Sequence, residues 1–208
     1  MTSTATLAPP SAPPPAAPVV RRTPHRFSVD EYFKMGELGF FAGKPRVELI
    51  EGEVVETMPP NPPHACTVAI LARLLFRHVP AGWSVRIRTS VRLSTSSPLP
   101  DACLAVGDDA TYLTRHPAPA DVGLIVEVAD SSLLEDRRDK GRLYAEDAIV
   151  EYWIVNLPER QIEVHTQPSG PTASPSYGNR HVYGPGTSVP LVLGGVTVGA
   201  IAVNEVLR

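Results

Sequence analysis

The chain has 208 residues, 43% of them hydrophobic, enough for one domain with a real core. No apolar run approaches the ~20 residues of a membrane helix, and its two cysteines, Cys66 and Cys103, form no C-x-x-C pair, which argues against a disulfide framework or a zinc site and makes a reducing cytoplasm the expected compartment. A net charge of -3 at pH 7 excludes a chain-wide basic surface, so any contact with nucleic acid must use a local one.

Residues 1–25 are a Pro/Ala/Ser/Thr tract, expected to be extended, solvated and disordered. It lacks the basic segment before an apolar core that marks a secretory signal. The domain is expected over residues 26–208. It begins at Phe27-Ser28-Val29, where Ser28 and Glu31 make a capping box for a short helix to about Leu38. Val47 to Val55 predicts a hairpin turning at Glu51-Gly52. Glu48 within it faces either side; an exposed strand carboxylate is the plain reading. A proline-rich loop, Met58 to Pro63, leads into an amphipathic helix from His64 to about His78, with Val68, Leu71 and Leu75 on one face. At its start His64 suits a cap or a packing contact.

Ser84 to Leu93 alternates as a strand does, Val85, Ile87, Val91 and Leu93 against Arg86, Arg88 and Arg92. Three arginines on one face suit either a solvated sheet surface or contacts to nucleic-acid phosphates. A second strand follows Pro100, with Asp101 at its entrance. After an irregular connection, Leu124 to Ala129 is an apolar run interrupted by Glu127. Such a run predicts a strand buried on both faces. An ionised carboxylate inside it costs several kcal/mol unless a cation or donors meet it.

Ser132-Leu133-Leu134-Glu135 matches a second capping box, opening a helix towards Glu146. Asp136, Lys140 and Tyr144 share one of its faces, so the lysine is expected to point at the sheet. Glu151 to Val155 is another buried strand. The whole unit is a βαβ crossover with parallel strands, which lets Glu127 and Lys140 meet at one sheet end. A structural salt bridge there is the plain alternative. Gln161 to His165 alternates again, and residues 183–206 suggest short antiparallel strands.

Asp101, Glu127 and Lys140 together form a chemical set. Two converging carboxylates suit Mg²⁺, a hard cation that accepts few protein oxygens. A nearby lysine can orient or deprotonate an attacking water and stabilise phosphate charge. That is equipment for metal-assisted phosphodiester hydrolysis.

The stretches VELIEGEVV (47–55), PPH (62–64), LPDACLAV (99–106), LIVEVADSS (124–132), DRRDKGRLY (136–144) and EYWIVN (151–156), in this order, resemble the Uma2 family of restriction endonucleases within the PD-(D/E)XK nuclease superfamily. The resemblance implies an α/β (α+β) fold, a mixed central sheet flanked by helices with a restriction-endonuclease-like core. It implies a Mg²⁺ cofactor, with Mn²⁺ as a substitute, and DNA as substrate. Asp101 matches the PD aspartate and Glu127 the next metal-binding acid, with the Val128 carbonyl as a further ligand. Ala129 stands where the usual lysine would be, and Lys140 fits the displaced lysine on the next helix. Glu48 matches the early assisting glutamate. Departures are EVADSSL for the family's EVLSPST-like turn, Ala148 for a glycine and Asn156 for an aspartate. No membrane partner is expected, and a homodimer is left open. The competing reading is a catalytically idle nuclease-fold binding or scaffold module; the intact set of Glu48, Asp101, Glu127 and Lys140 weighs against it.

Overall fold

The computed structural model describes residues 23–207, so most of the expected N-terminal tail lies outside the described residues. Ten strands occur among them: β1 Val47–Ile50, β2 Glu53–Glu56, β3 Trp83–Ile87, β4 Ala102–Val106, β5 Val122–Ala129, β6 Glu151–Asn156, β7 Gln161–Pro168, β8 Tyr177–Tyr183, β9 Ser188–Leu193 and β10 Val196–Ala202. Strands β3 to β8 form one six-stranded sheet in sequence order. Its pairs are antiparallel except β5 with β6, which are parallel as the intervening helical crossover requires. The expected mixed sheet flanked by helices is thus present.

Every residue of β5 and β6 is buried, and alternation divides their side chains between two cores. On one face Leu124, Val126, Val128, Trp153 and Val155 pack against α2 (Pro62–His78), the β9–β10 hairpin and α5 (Val203–Val206). On the other, Ile125, Tyr152 and Ile154 pack against Leu143, Tyr144 and Ile149. Glu127 lies opposite Ile154 of β6, and Ile154 lies opposite Glu163 of β7. All three therefore share the second face.

The first capping box forms. Ser28 caps α1 (Val29–Glu37), its hydroxyl accepting from the Glu31 N–H at 3.2 Å while Glu31 Oε2 accepts from the Ser28 N–H at 2.8 Å. Helix α1 buries Val29 and Tyr32 against Leu49. The hairpin turns where expected: Glu51 and Gly52 have φ of +47° and +80°, the two left-handed residues of a tight hairpin turn. A Cβ on Gly52 would lie 2.7 Å from Arg26 Cβ, so that position needs glycine on two counts.

Two expectations are corrected. The 84–93 alternation is not one strand: β3 ends at Ile87, and Arg88 turns left-handed with φ +51°. Val85 and Ile87 join the α2-side core, whereas Val91 and Leu93 join the other. Period-2 patterning does not separate a strand from an extended loop that crosses the sheet edge, so the arginine stripe does not exist as one face. The second capping box also fails. Ser132 has ψ near 1° and makes no cap; its hydroxyl donates to Asp136 Oδ2 at 2.6 Å instead. The crossover begins as α3 (Leu133–Glu135), widens into a π-helical turn over Asp136–Lys140, and ends as α4 (Gly141–Glu146). The Tyr152 hydroxyl donates to the Asp136 carbonyl at 3.1 Å within that turn. Short π turns of this kind recur at functional sites.

Candidate active site

Asp101 immediately precedes β4, and Glu127 sits near the end of the neighbouring β5. Both point into a cleft of roughly 800 Å³, also lined by Glu48, His64, Arg46, Arg88, Asp136 and Lys140. The strand ends supply the acids because main-chain pairing fixes their direction. The Val128 N–H donates to Asp101 Oδ2 at 2.9 Å, tying the two strands together at the site.

The four residues singled out from the sequence are brought to this one cleft. Glu48 is buried with 6% of its surface exposed and faces the site, which settles the side of the hairpin strand it takes. Lys140 points inward as expected, its Nζ 2.9 Å from Glu127 Oε1 and 3.6 Å from Asp136 Oδ1. Of the three arginines, only Arg88 lines the cleft, with Nε 3.6 Å from Asp101 Oδ1. Arg86 lies over the Tyr112 ring at 4.8 Å, and Arg92 pairs with Asp30 at 2.7 Å.

Further site residues carried no decisive signal in the sequence. His64 had the character of a helix-start residue, yet its Nε2 lies 3.0 Å from Asp101 Oδ2. Asn61 caps α2 and also donates to Asp130 Oδ2 at 2.6 Å, so the proline loop is latched to the end of β5 and His64 is aimed inward. Tyr144 is fully buried and donates to Glu127 Oε1 at 2.7 Å. The shared helix face of Asp136, Lys140 and Tyr144 was a signal for it, but no role followed from spacing alone.

The site is short of positive charge. Burial pushes Glu127 up to about 8, with Lys140 opposing and Asp101, Asp136 and Glu48 adding to the rise. Burial likewise raises Glu48 and Asp136, again against the pull of Lys140. For Lys140, burial works against the charge, but Glu127, Asp136 and Glu48 outweigh it and hold the amine above its ordinary range. One lysine therefore serves several buried acids. Among the described residues no three His, Cys, Asp or Glu side chains draw together as a metal cage. Two carboxylates plus solvent oxygens are nevertheless a sufficient donor set for Mg²⁺, which keeps several waters. The Lys140 and Tyr144 contacts both fall on Oε1 of Glu127.

Comparison with known proteins points the same way. The family model for Uma2, described as "putative restriction endonuclease", matches residues 29–203. The chain belongs to the Uma2 family. The match spans the hairpin carrying Glu48, the whole six-stranded sheet and the crossover carrying Lys140. Among solved structures, the crystal structure of a "putative nuclease belonging to DUF820" from Anabaena variabilis ATCC 29413 is similar with a TM-score of 0.60 at 14% identity. It covers 86% of this chain and 97% of that one, and at such identity the likeness concerns the fold. No curated protein matches the sequence. Among the described residues, no helix is long and apolar enough to cross a membrane.

Proposed function

We propose that this Uma2 protein is a Mg²⁺-dependent endonuclease that hydrolyses DNA phosphodiester bonds in the cleft between the hairpin, α2 and the crossover. The observation that carries the reading is the convergence of Asp101 and Glu127 on adjacent strand ends, with the Lys140 amine 2.9 Å from Glu127. Asp101 and Glu127 would hold the cation, with the Val128 carbonyl beside them and Glu48 assisting. When bound, Mg²⁺ or Mn²⁺ would supply Lewis-acid stabilisation to the phosphoryl oxygens.

The chain's own residues then have separate jobs. His64 and the Val128 N–H fix Asp101 Oδ2, and Tyr144 fixes Glu127 Oε1, so both acids are oriented before substrate arrives. Lys140 is held protonated by the acids around it. In that state it stabilises negative charge gathering on the phosphate.

A nicking assay on supercoiled plasmid and on single strands, with Mg²⁺ or Mn²⁺, tests this. Wild type is expected to cut, and Asp101→Asn and Glu127→Gln to lose cutting. Millimolar metal should also raise the melting temperature of wild type by mass action, and not that of the two variants. A wild type that neither cuts nor binds metal would return the cleft to the idle-module reading, in which Lys140, His64 and Arg88 only compensate buried acids.

A further inference from the structure

Arg46, the residue before β1, and Arg88, the residue after β3, come from separate stretches of chain and meet at the cleft. The Arg46 guanidinium donates to the Arg88 carbonyl. The Arg88 N–H in turn donates to the Asp101 carbonyl at 3.3 Å. With φ at +51°, Arg88 holds a backbone conformation that favours glycine, and this strained turn sends its side chain towards Asp101.

Among the described residues neither arginine donates a hydrogen bond to a carboxylate. Arg88 Nε is 3.6 Å from Asp101 Oδ1, beyond hydrogen-bond reach, and is buried without an acceptor. Asp101 Oδ2 is already taken by His64 and the Val128 N–H. Among the described residues no carboxylate forms an ion pair with Arg46. Burial and then the neighbouring Arg88 charge lower Arg46 from its ordinary range, against the weaker pull of Glu48 and Asp101, so the two guanidinium groups sit close despite their repulsion. Each guanidinium presents five N–H donors in a planar fork that matches the oxygens of a phosphate.

We propose that Arg46 and Arg88 form a subsite for one backbone phosphate of a nucleic-acid strand lying in the cleft, holding it beside Asp101. The assignment rests on the nuclease reading of this cleft and adds the group that positions the substrate. Its bland competitor is that the two arginines merely neutralise Asp101 and Glu48.

The test is equilibrium binding of a fluorescein-labelled DNA duplex across a salt series at fixed Ca²⁺, with melting curves for every variant. Arg88→Gly is the informative substitution, because glycine suits the left-handed backbone. It should melt no lower than wild type while binding more weakly. Arg46→Gln should also bind more weakly, and the double variant should flatten the slope of log K against log salt by ~0.9, the value of one duplex phosphate contact. The loss should be equal on unrelated sequences. Arg88→Lys, which keeps the charge, should retain the slope. An unchanged slope in the double variant overturns the subsite, as does a wild type with no salt-dependent affinity for DNA. A flattened slope beside a wild type that never cuts keeps the subsite and sinks the nuclease reading. Cutting with an unchanged slope does the reverse.

Discussion

Two buried glutamates flank Ile154 on one face of the sheet, and they have opposite fates. Glu163, with no exposed surface, receives the Arg137 guanidinium, Arg180 Nε at 3.0 Å and Asn156 Nδ2 at 2.9 Å, with His165 Nε2 3.5 Å away. Burial opposes its charge, but those donors outweigh burial and hold the carboxyl far below the usual range. Glu127 has one lysine and one tyrosine hydroxyl among other acids, and burial pushes it up to about 8. The same π turn serves both, Arg137 reaching Glu163 and Lys140 reaching Glu127. Similar burial with different donor counts separates an acid whose charge is fully met from one left short of donors.

The largest difference should appear in rate. Lys140→Ala is expected to lower cutting by about 10²–10³-fold, the scale of losing one preorganised charge-stabilising group. Single-turnover nicking checks it, and a variant that cuts like wild type would break the functional half of the comparison. Glu163→Ala should do the opposite, leaving the cleft groups in place while destabilising the fold by about 3 kcal/mol. That is the low end for a broken buried ion pair, since both arginines keep some solvent contact. Denaturant unfolding measures it.

A smaller effect is expected at Tyr144→Phe, which removes the hydroxyl on Glu127 Oε1 and keeps the ring. Cutting should fall by about 10-fold, as for other groups that orient a ligand, at a stability change of about 1 kcal/mol. If Tyr144→Phe were silent in rate, Glu127 would need no orientation from the helix.

The slightest but most diagnostic difference lies in pH dependence. Folded Glu127 keeps its proton up to about 8, whereas the unfolded chain loses it near the ordinary 4.5. The folded state then binds more protons, so metal-free stability falls as pH rises between those values and levels off above them. Glu48 and Asp136 contribute in the same sense. Glu127→Gln should therefore shrink that fall without abolishing it. Glu163 contributes stability that is present above about 4.5 and is lost on acidification below it, so Glu163→Gln should blunt acid denaturation instead. Melting curves from strongly acidic pH up to pH 9 would show the two slopes with opposite signs, the Glu163 slope below about 4.5 and the Glu127 slope above it, and equal signs would end the distinction.

The sequence by itself determined the crossover unit and most of the site. Glu127 inside an apolar run, Asp101 at a strand entrance and Lys140 on an inward helix face are local patterns, because burial on two faces leaves period and residue type little freedom. The same held for the Ser28 cap and the Glu51-Gly52 turn, where the chemistry spans only a few residues. What the tertiary structure alone decided are contacts between stretches far apart in the chain. His64 reaches Asp101 because Asn61 is latched to Asp130, and Arg88 reaches the cleft because the strand breaks at Ile87. Arg137 sets the π turn against Glu163, and Ser132 abandons its cap for Asp136. Alternation and cap motifs report what a segment can do alone. Which partner satisfies each buried charge is a property of the assembled sheet, where desolvation makes every unpaired group costly and so selects one arrangement.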